Sequence, residues 1–263
     1  MEAEGTSQVI SQSLQEAYDR QYEGNTGEWR DLCGKHKANN VLTVTSGMRF
    51  KSVMECGAGD GSVLRHLDAS GAFQELTALE ISDSAIEQIE KCGAKSLKSV
   101  TKYDGLTIPY PDQHFDMAYC THVLEHVEHP RFVIREIARV SKYQVFEVPL
   151  DYSPCIDEKI DHYLSYGHIS VFTPSVFKFM LRSEGFEVVS ELRTHIPTDV
   201  RRYIDYQIAR RKKTLTHEAR IAATPFLRRV KRTVMGRKRF EEFAYSAFTC
   251  LTRRTGSLRI LGD

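Results

Sequence analysis

Short apolar runs alternate along the chain with stretches in which apolar residues recur at helical spacing. Apolar runs bounded by polar or turn residues are typical of buried strands, and apolar residues three or four positions apart predict helices. The first predicted strand begins at 53 and leads into a turn that ends at 61; the other six lie at 75–81, 97–103, 117–120, 142–148, 186–192 and 243–252. Predicted helices follow at 62–67, 83–92 and 131–140, and another reaches 184 from a cap at 173–175. Strands that alternate with helices predict an α/β fold.

Helical segments precede and interrupt this alternating core. A helix is predicted over 7–22 and a second from Glu28 to about Phe50. Residues 196–242 form a basic helical pattern between the sixth and seventh strands. The predicted organisation is an N-terminal helical cap (1–50), a core (51–195), a basic helical insertion (196–242), and a closing strand with a C-terminal tail (243–263).

The segment from Lys51 to Leu67, KSVMECGAGDGSVLRHL, places a glycine turn between the first strand and its helix. Glycines let the chain turn tightly and let a ligand approach bare backbone, and the helix behind them presents free N–H groups. A dinucleotide site has the spacing G-x-G-x-x-G. Here the spacing is G-x-G-x-G, and Glu55 precedes the first glycine by two residues. This carboxylate is unsuited to a pyrophosphate but can bind a cation or an ammonium group.

In this motif the chain resembles the class I S-adenosyl-L-methionine-dependent methyltransferases, whose first motif is E/D-x-G-x-G-x-G. A second stretch, L-x-x-P-x-x-D-x-x-F-D followed by HVLEHV, resembles the group that includes ubiquinone, sugar and small-molecule methyltransferases. The resemblance extends from about Tyr18 to His195 and over the last strand. It implies a Rossmann-like, doubly wound, seven-stranded sheet, mostly parallel with an antiparallel last strand. It also implies S-adenosyl-L-methionine (SAM) as the cofactor.

An acid ends the second predicted strand and is the best-defined cofactor contact. Glu80 follows Gly61 by 19 residues, close to the spacing of about 20 at which such an acid binds the ribose hydroxyls. The resemblance implies this role for Glu80, assigns the methionine end to Glu55 and the glycine backbone, and assigns the adenine to Asp104.

Aromatic residues of the N-terminal helices often contact the methionine end in such methyltransferases. Tyr18, Tyr22 and Trp29 are therefore candidates, although simple packing of these helices explains them as well. The full set of candidate cofactor-binding residues is Tyr18, Tyr22, Trp29, Glu55, Cys56, Gly57, Ala58, Gly59, Gly61, Glu80, Ile81, Tyr103, Asp104, Gly105, Cys120, Thr121 and His122.

Histidines follow the fourth strand and recur in the predicted substrate-facing loop 151–173. On a helix His122, His126 and His129 would share one face, but no cysteine or further acid is evidently paired with them, so no metal is predicted. His126 suits a general base or a substrate contact, with a neutral structural histidine as the alternative. His168 lies in a GH-(I/V)-x-x-(F/Y)-(T/S)-P segment that the resembling enzymes often share, and it is the strongest candidate contact with the substrate.

Composition limits the class of protein only broadly. The 263 residues are 41% hydrophobic and 27% charged, which is ordinary for a globular protein. No apolar run approaches the roughly 20 residues of a membrane span. The N-terminus lacks the basic start and apolar block of a secretory signal, and the six cysteines contain no C-x-x-C pair. These features predict a cytoplasmic protein with reduced thiols, and a peripheral membrane position is the alternative.

Charge is distributed unevenly along the chain. Residues 191–263 contain 18 Lys and Arg against 7 Asp and Glu, a net charge of +11, whereas residues 1–190 carry −10. A basic stretch interleaved with apolar residues can bind an anionic membrane surface, an anionic substrate or nucleic acid, or can simply form solvated helical faces.

These patterns predict a SAM-dependent methyltransferase that methylates an oxygen of a small molecule or a glycan, including a lipid-linked acceptor. An RNA methyltransferase and a SAM-binding scaffold without transfer activity are the alternatives. No D/N-P-P-Y/F motif follows the fourth strand, which argues against methylation of exocyclic amino groups of RNA.

Overall fold

A seven-stranded sheet forms the centre of the part of the chain that the structure describes. The structure is a computed structural model and describes residues 27–259. The strands are β1 (Ser52–Cys56), β2 (Glu75–Glu80), β3 (Leu97–Lys102), β4 (Phe115–Thr121), β5 (Ser141–Pro149), β6 (Phe186–Thr194) and β7 (Ala247–Arg254). Their order in the sheet is β3-β2-β1-β4-β5-β7-β6.

The pairing of the strands places the carboxyl ends of all strands except β7 at one edge of the sheet. Pairs β1–β2, β2–β3, β1–β4 and β4–β5 are parallel, and β7 is antiparallel to both β5 and β6. The predicted seven-stranded α/β sheet with an antiparallel last strand is therefore confirmed. The strand order reverses between β1 and β4, and in open α/β sheets ligands bind in the crevice at this point.

Helices cover both faces of the sheet. They are α1 (Gly27–Val44), α2 (Ser62–Ser70), α3 (Asp83–Glu90), α4 (Pro130–Val140), α5 (Ile160–Leu164), α6 (Pro174–Ser183), α7 (Thr198–Tyr203), α8 (Leu215–Met235) and α9 (Arg237–Phe243), with a 3₁₀ turn at Ile156–Lys159 and a π-helical turn at Ile204–Ile208. Ser82 caps α3, because its side chain accepts a hydrogen bond from the Ala85 N–H.

The alternation of side chains along each strand divides the core into two layers. Val53 of β1 packs in the layer beneath α1, α2 and α3, and its neighbour Met54 packs in the layer beneath α4 and α6. Both side chains are fully buried. Burial of one such side chain contributes about 1.5–3 kcal/mol. Apolar packing therefore stabilises the sheet on both faces, and its carboxyl edge can position the residues of a site.

Some predicted boundaries were wrong. Helix α1 ends at Val44 rather than near Phe50. The last strand begins at Ala247 rather than Phe243, because α9 continues through Phe243. The predicted helix over 7–22 lies outside the described residues.

The segment that follows β4 is a turn and not a helix. His122 adopts a left-handed conformation with φ of 56°, and the His126 N–H donates to the Val123 carbonyl over 2.9 Å. A new helix begins only at Pro130. His122, His126 and His129 therefore do not share a helical face, which corrects the helical spacing considered for them.

The chain between β6 and β7 carries α7, α8 and α9. Residue pairs join it to α1: His36 Nε2 lies 2.9 Å from Asp199 Oδ2, and the rings of Trp29 and Tyr203 are 5.7 Å apart. At its other end Phe243 lies 5.9 Å from Tyr152 in the loop after β5. In residues 27–259 no helix is long and apolar enough to cross a membrane. The division into four segments at 50, 195 and 242 stays a prediction.

Candidate active site at the carboxyl edge of the sheet

A cavity of about 810 Å³ lies at the carboxyl ends of β1, β2 and β4. Helix α1 borders it on one side and residues 164–168 on another. The predicted site residues that line it are Trp29, Glu55, Gly57, Ala58, Gly59, Glu80, Ile81, Tyr103, Gly105, Thr121, His122, His126 and His168. Residues that are far apart in the sequence are thus brought to one site.

The glycine turn after β1 needs glycine for steric reasons. Gly57 has φ of 73°, and a Cβ built on it would lie 2.6 Å from Cγ2 of Val123. The N–H groups of Gly57 and Ala58 both donate to the Leu79 carbonyl, over 2.9 and 3.0 Å. The turn is therefore tied to β2 and leaves its backbone open to the cavity.

Glu80 fixes the glycine turn from the end of β2. Its carboxylate accepts hydrogen bonds from the N–H groups of Gly59 (2.7 Å), Ile81 (2.8 Å) and Ser82 (3.2 Å). The side chain is buried but borders the cavity. An oriented carboxylate at this point is suited to accept further hydrogen bonds from a pair of vicinal hydroxyls.

Glu55 is a buried carboxyl group that suits a cationic ligand. It is 2% exposed, and the Tyr119 hydroxyl donates to its Oε2 over 2.8 Å. Burial raises the pKa of Glu55 well above its usual range, and the Tyr119 hydrogen bond opposes this only in part. A positive group bound beside Glu55 would stabilise its charged form. The residues present therefore fit the cationic methionine end of the cofactor that the resemblance implies.

Four predicted cofactor residues do not line this cavity in the described structure. The Asp104 carboxylate accepts hydrogen bonds from the N–H groups of Leu106 and Thr107 over 2.9 and 2.7 Å, so it stabilises an exposed turn. Cys56 and Cys120 pack in the core beneath α4 and α6.

The fourth of these, Gly61, caps α2 with φ of 75°. Tyr18 and Tyr22 lie outside the described residues. The roles proposed for these six residues stay predictions.

His126 and His168 meet face to edge, with ring centroids 4.8 Å apart. Nδ1 of His126 lies 3.0 Å from the Gly167 carbonyl oxygen, which can only accept, so Nδ1 carries the proton. Nδ1 of His168 lies 2.6 Å from Oδ2 of Asp151 and donates to it in the same way. Burial lowers the pKa of His126, although the nearby Glu125 carboxylate opposes this effect. Neutral His126 then keeps the lone pair on Nε2.

Two buried carboxylates flank the histidine after β4. Nδ1 of His122 lies 3.2 Å from Oε1 of Glu125, and Nε2 lies 3.2 Å from Oε1 of Glu147. Burial and the charge of Lys37 oppose a positive imidazole, but the two carboxylates outweigh them and raise the pKa of His122. Glu147 is held in turn by Asn40 and Thr249, whose side chains donate to its Oε2 over 2.9 and 2.7 Å. His122 is therefore held by charged partners.

Sequence reasoning missed several residues of this cavity. Glu125 and Lys37 line it, and Asp151 orients His168. Trp29, Cys33 and Lys37 recur every fourth residue, so the face of α1 that meets the cavity was visible as a pattern. Nothing in the sequence pairs Asp151 with His168, because their contact depends on the path of the intervening loop.

Comparisons with known proteins agree with this geometry. A family model described as a methyltransferase domain matches residues 19–191. The chain is 28% identical over 147 residues to a ubiquinone biosynthesis O-methyltransferase of Vibrio atlanticus, a match covering 50% of this chain and 60% of that protein. It is 28% identical over 140 residues to a malonyl-(acyl-carrier protein) O-methyltransferase of Salmonella typhimurium, which covers 51% of each chain. The match thus spans between half and two thirds of the length of these relatives.

Solved structures share the fold at lower identity. One chain of a complex between a methyltransferase activator of Haloferax volcanii and a methyltransferase superposes with a TM-score of 0.64 at 14% identity. The superposition covers 91% of this chain and 98% of that one. At this identity the likeness concerns the arrangement of strands and helices alone.

Proposed function

Because the chain belongs to the SAM-dependent methyltransferase family, we propose that it transfers a methyl group from SAM to a hydroxyl oxygen of a small molecule. One observation carries the proposal: the paired imidazoles of His126 and His168 border the same cavity as Glu80 and the glycine turn. Imidazoles near neutrality are suited to accept the proton of a hydroxyl.

We assign the binding of the cofactor to the glycine turn and the two acids. Glu80 would accept hydrogen bonds from the ribose hydroxyls, and Glu55 would face the positive methionine end. Gly57 and Gly59 keep the backbone accessible, and Trp29 of α1 borders the same space. SAM supplies an activated methyl group on a sulfonium, so the protein has to align the acceptor and manage one proton.

The histidine pair would manage that proton. In the simplest form of the mechanism, the Nε2 lone pair of a neutral imidazole accepts the hydroxyl proton of the acceptor. The oxygen then forms a bond to the methyl carbon, the carbon–sulfur bond breaks, and its electron pair stays on sulfur in S-adenosylhomocysteine. Asp151 orients His168 through Nδ1 and stabilises the imidazolium that forms, whereas Gly167 orients His126.

The charged residues that line the cavity indicate which class of acceptor it would bind. Lys37 of α1 lines the cavity, so we propose an acceptor with a negative group. An aromatic or aliphatic hydroxy acid combines the two requirements. A glycan acceptor is the alternative, and it needs hydrogen-bond partners more than charge.

We further propose that the basic insertion binds an anionic lipid surface and so brings a lipid-linked acceptor to the cavity. The support is an exposed apolar stripe on α8 between basic residues: Phe226 is 67% exposed and Val234 is 80% exposed. Residues 196–242 contain 14 Lys and Arg against 5 Asp and Glu. A basic helix with an exposed apolar face is typical of membrane-surface binding.

Calorimetric titration with SAM and S-adenosylhomocysteine tests the cofactor site. We expect binding by the wild-type chain and a loss of at least about tenfold in affinity for Glu80→Ala, because a charge-assisted pair of hydrogen bonds is removed. Glu87→Ala is the matched control, since Glu87 is exposed on α3 and bonds only Lys91 at the surface. Equal affinities in the two variants would contradict the site.

Transfer of radiolabelled methyl to a panel of hydroxy acids, phenols, glycans and RNA tests the acceptor. We expect methylation of a small hydroxylated acid and a large loss of transfer in His168→Ala, with SAM binding retained. Labelled RNA with a steep dependence on salt would favour the RNA alternative. Intact SAM binding without transfer to any acceptor in the panel would favour the scaffold.

A further inference from the structure

Glu125, His126 and His168 form a cluster on the wall of the cavity. One donor atom from each lies within 4.8 Å of the other two, and all three residues line the cavity. Glu125 and His126 are consecutive, and His168 is brought to them by two backbone hydrogen bonds from the Ile169 and Ser170 N–H groups to the Glu125 carbonyl. These backbone hydrogen bonds thus hold the three residues close to one another.

The carboxylate of this cluster has His122 as a charged neighbour but makes no hydrogen bond of normal geometry among the described residues. Glu125 is 0% exposed, and neither of its oxygens accepts a hydrogen bond of normal geometry within residues 27–259. The nearest ring nitrogens are Nδ1 of His122 at 3.2 Å and Nε2 of His126 at 3.8 Å from Oε1. A buried carboxylate in this state costs several kcal/mol unless a positive group lies beside it.

The two imidazoles are oriented in the manner of metal ligands. A histidine that binds a metal usually donates its other ring N–H to a carboxylate or a backbone carbonyl, which fixes its tautomer. His168 donates from Nδ1 to Asp151, and His126 donates from Nδ1 to the Gly167 carbonyl. In both rings Nε2 is then the nitrogen with the lone pair.

We propose that Glu125, His126 and His168 bind a divalent transition-metal ion of the zinc type in the acceptor half of the cavity. Two imidazoles and one carboxylate are a donor set that such ions prefer, and three protein ligands leave a position open for a substrate oxygen. With bonds of about 2.1 Å the donor atoms of a tetrahedral site lie about 3.4 Å apart. The longest donor–donor separation, at present up to 4.8 Å, therefore has to shorten by about 1.4 Å to form the site.

This inference rests on the proposed function and changes how the acceptor is activated. An ion held by these three residues would bind the acceptor hydroxyl at its open coordination position and lower the pKa of that hydroxyl, so that the proton could pass to water and the oxygen could attack the methyl carbon of SAM. The carbon–sulfur bond breaks as described above. His126 and His168 then act as ligands and not as proton acceptors. Asp151 is a positioning residue, because it acts on the ion only through His168.

Titration of the metal-free protein with Co²⁺, followed by its visible absorption, tests the site without any activity assay. We expect one Co²⁺ per chain with the absorption bands of a low-symmetry four- or five-coordinate site, displaced by Zn²⁺ and not by equal Mg²⁺. His168→Gln should weaken the binding at least about 100-fold, and Asp151→Asn about 10- to 100-fold. His162→Gln is the matched control, since His162 lies exposed in the same loop region and should leave the affinity unchanged.

The variants separate this inference from the proposed function. Glu80→Ala should lose SAM and keep Co²⁺, whereas His168→Gln should lose Co²⁺ and keep SAM. Glu125→Gln adds a test at the buried ligand, and if this variant fails to fold, the His168 and Asp151 variants still decide. Absence of Co²⁺ binding by the wild type, or equal loss in His162→Gln, would overturn the metal site. In that case His122 alone would balance the charge of Glu125.

Discussion

At the scale of single residues, the site concentrates acids where burial makes them costly. Glu80 offsets the cost through three backbone N–H groups, and Glu147 through Asn40, Thr249 and His122. Glu55 has only the Tyr119 hydroxyl, and burial raises its pKa. The buried charge of Glu55 is poorly stabilised in the free protein, so a cationic ligand beside it would stabilise that charge. A change at Glu55 should therefore alter both the stability of the protein and its affinity for SAM.

Glu55→Gln should stabilise the free protein and weaken the binding of SAM. The folded pKa of Glu55 is raised, so its protonated form favours folding below the unfolded pKa, and this contribution is lost as pH rises through the folded pKa. From about pH 4.3 upward the wild type should lose up to roughly 1.4 kcal/mol per pH unit relative to Glu55→Gln within that window. Thermal unfolding of both proteins between pH 4 and 8 measures this difference.

The titration with SAM completes this test. The Gln variant should bind at least about tenfold more weakly, because a neutral amide does not pair with the positive methionine end. If the variant binds SAM as tightly as the wild type, the cation of the cofactor does not lie beside Glu55.

Gly57→Ala should damage the cofactor site more than an equivalent change elsewhere. Both Gly57 and Gly71 have positive φ, at 73° and 66°, so a Cβ strains either by about 1 kcal/mol. At Gly57 the Cβ would also meet Val123 at 2.6 Å, whereas at Gly71 nothing lies within 4 Å. We expect Gly71→Ala to lower only the melting temperature, and Gly57→Ala to lower it further and to weaken SAM binding. Similar SAM affinities in the two variants would rule out a role for the close approach at Gly57.

The residues that the sequence predicted best are those whose role depends on local chain geometry. The glycine motif at 55–61 lies 19 to 25 residues before Glu80, and the positions of both follow from one strand–turn–helix–strand unit. Glu125 was not predicted as a site residue. Its burial without a normal hydrogen bond is visible only in the assembled structure. Asp104 was predicted from its place after β3, but its carboxylate satisfies the N–H groups of its own turn.

At the scale of elements, the helices that cover one face are joined by a buried acid. Glu184 follows α6, is 0% exposed in its side chain, and receives Arg131 and Arg135 of α4 at 2.7 and 2.6 Å. This contact holds α4 against α6, and the segment before α4 carries the histidine cluster. The bounds of the strands were easier to predict than these ion pairs. Apolar runs indicate strands, but no sequence pattern indicates which arginine pairs with Glu184.

Glu184→Gln should destabilise the protein by about 2 kcal/mol, because two arginines lose their charged partner although both are partly exposed. Arg135 is the largest cause that lowers the pKa of Glu184, so this stabilisation is present above the unfolded pKa of about 4.3 and is lost as pH falls through the folded pKa. Chemical denaturation at pH 7 and at pH 3 measures both effects.

Glu187→Gln is the control, since Glu187 is exposed and lies 3.4 Å from Arg253, a surface pair worth little. We expect less than about 0.5 kcal/mol from it at either pH. An equal loss of unfolding free energy in both variants would mean that burial of Glu184 does not strengthen its ion pairs.

At the scale of the whole molecule, the structure shows where the positively charged segment of the chain lies. The insertion 196–242 contacts α1 through α7 and the loop after β5 through α9, and α1 borders the cavity. The sequence predicted the insertion and its charge, because composition is local. It left the partner open, because solvated faces, lipid and nucleic acid all tolerate the same basic residues.

The exposed apolar stripe of α8 distinguishes these partners. Nucleic acid gains from the basic residues alone, whereas a membrane also gains from burial of Phe226 and Val234. Vesicles of phosphatidylcholine with and without phosphatidylglycerol test this. The double variant Arg229→Glu with Arg232→Glu should reduce partitioning to the anionic vesicles at least about tenfold, since each basic residue near such a surface adds roughly 1 kcal/mol. Phe226→Ser with Val234→Ser should reduce it without a change in charge.

Lys95→Glu with Lys98→Glu is the matched control, because it changes the net charge equally at exposed positions near α3 and β3. If it reduces vesicle binding as much as the change on α8, the attraction is a property of overall charge and the insertion is not a membrane surface. If only the α8 charges matter and the apolar pair does not, a polyanion such as RNA becomes the better partner. Loss in both α8 variants and not in the control would assign the membrane contact to α8, as expected if the acceptor is held in lipid.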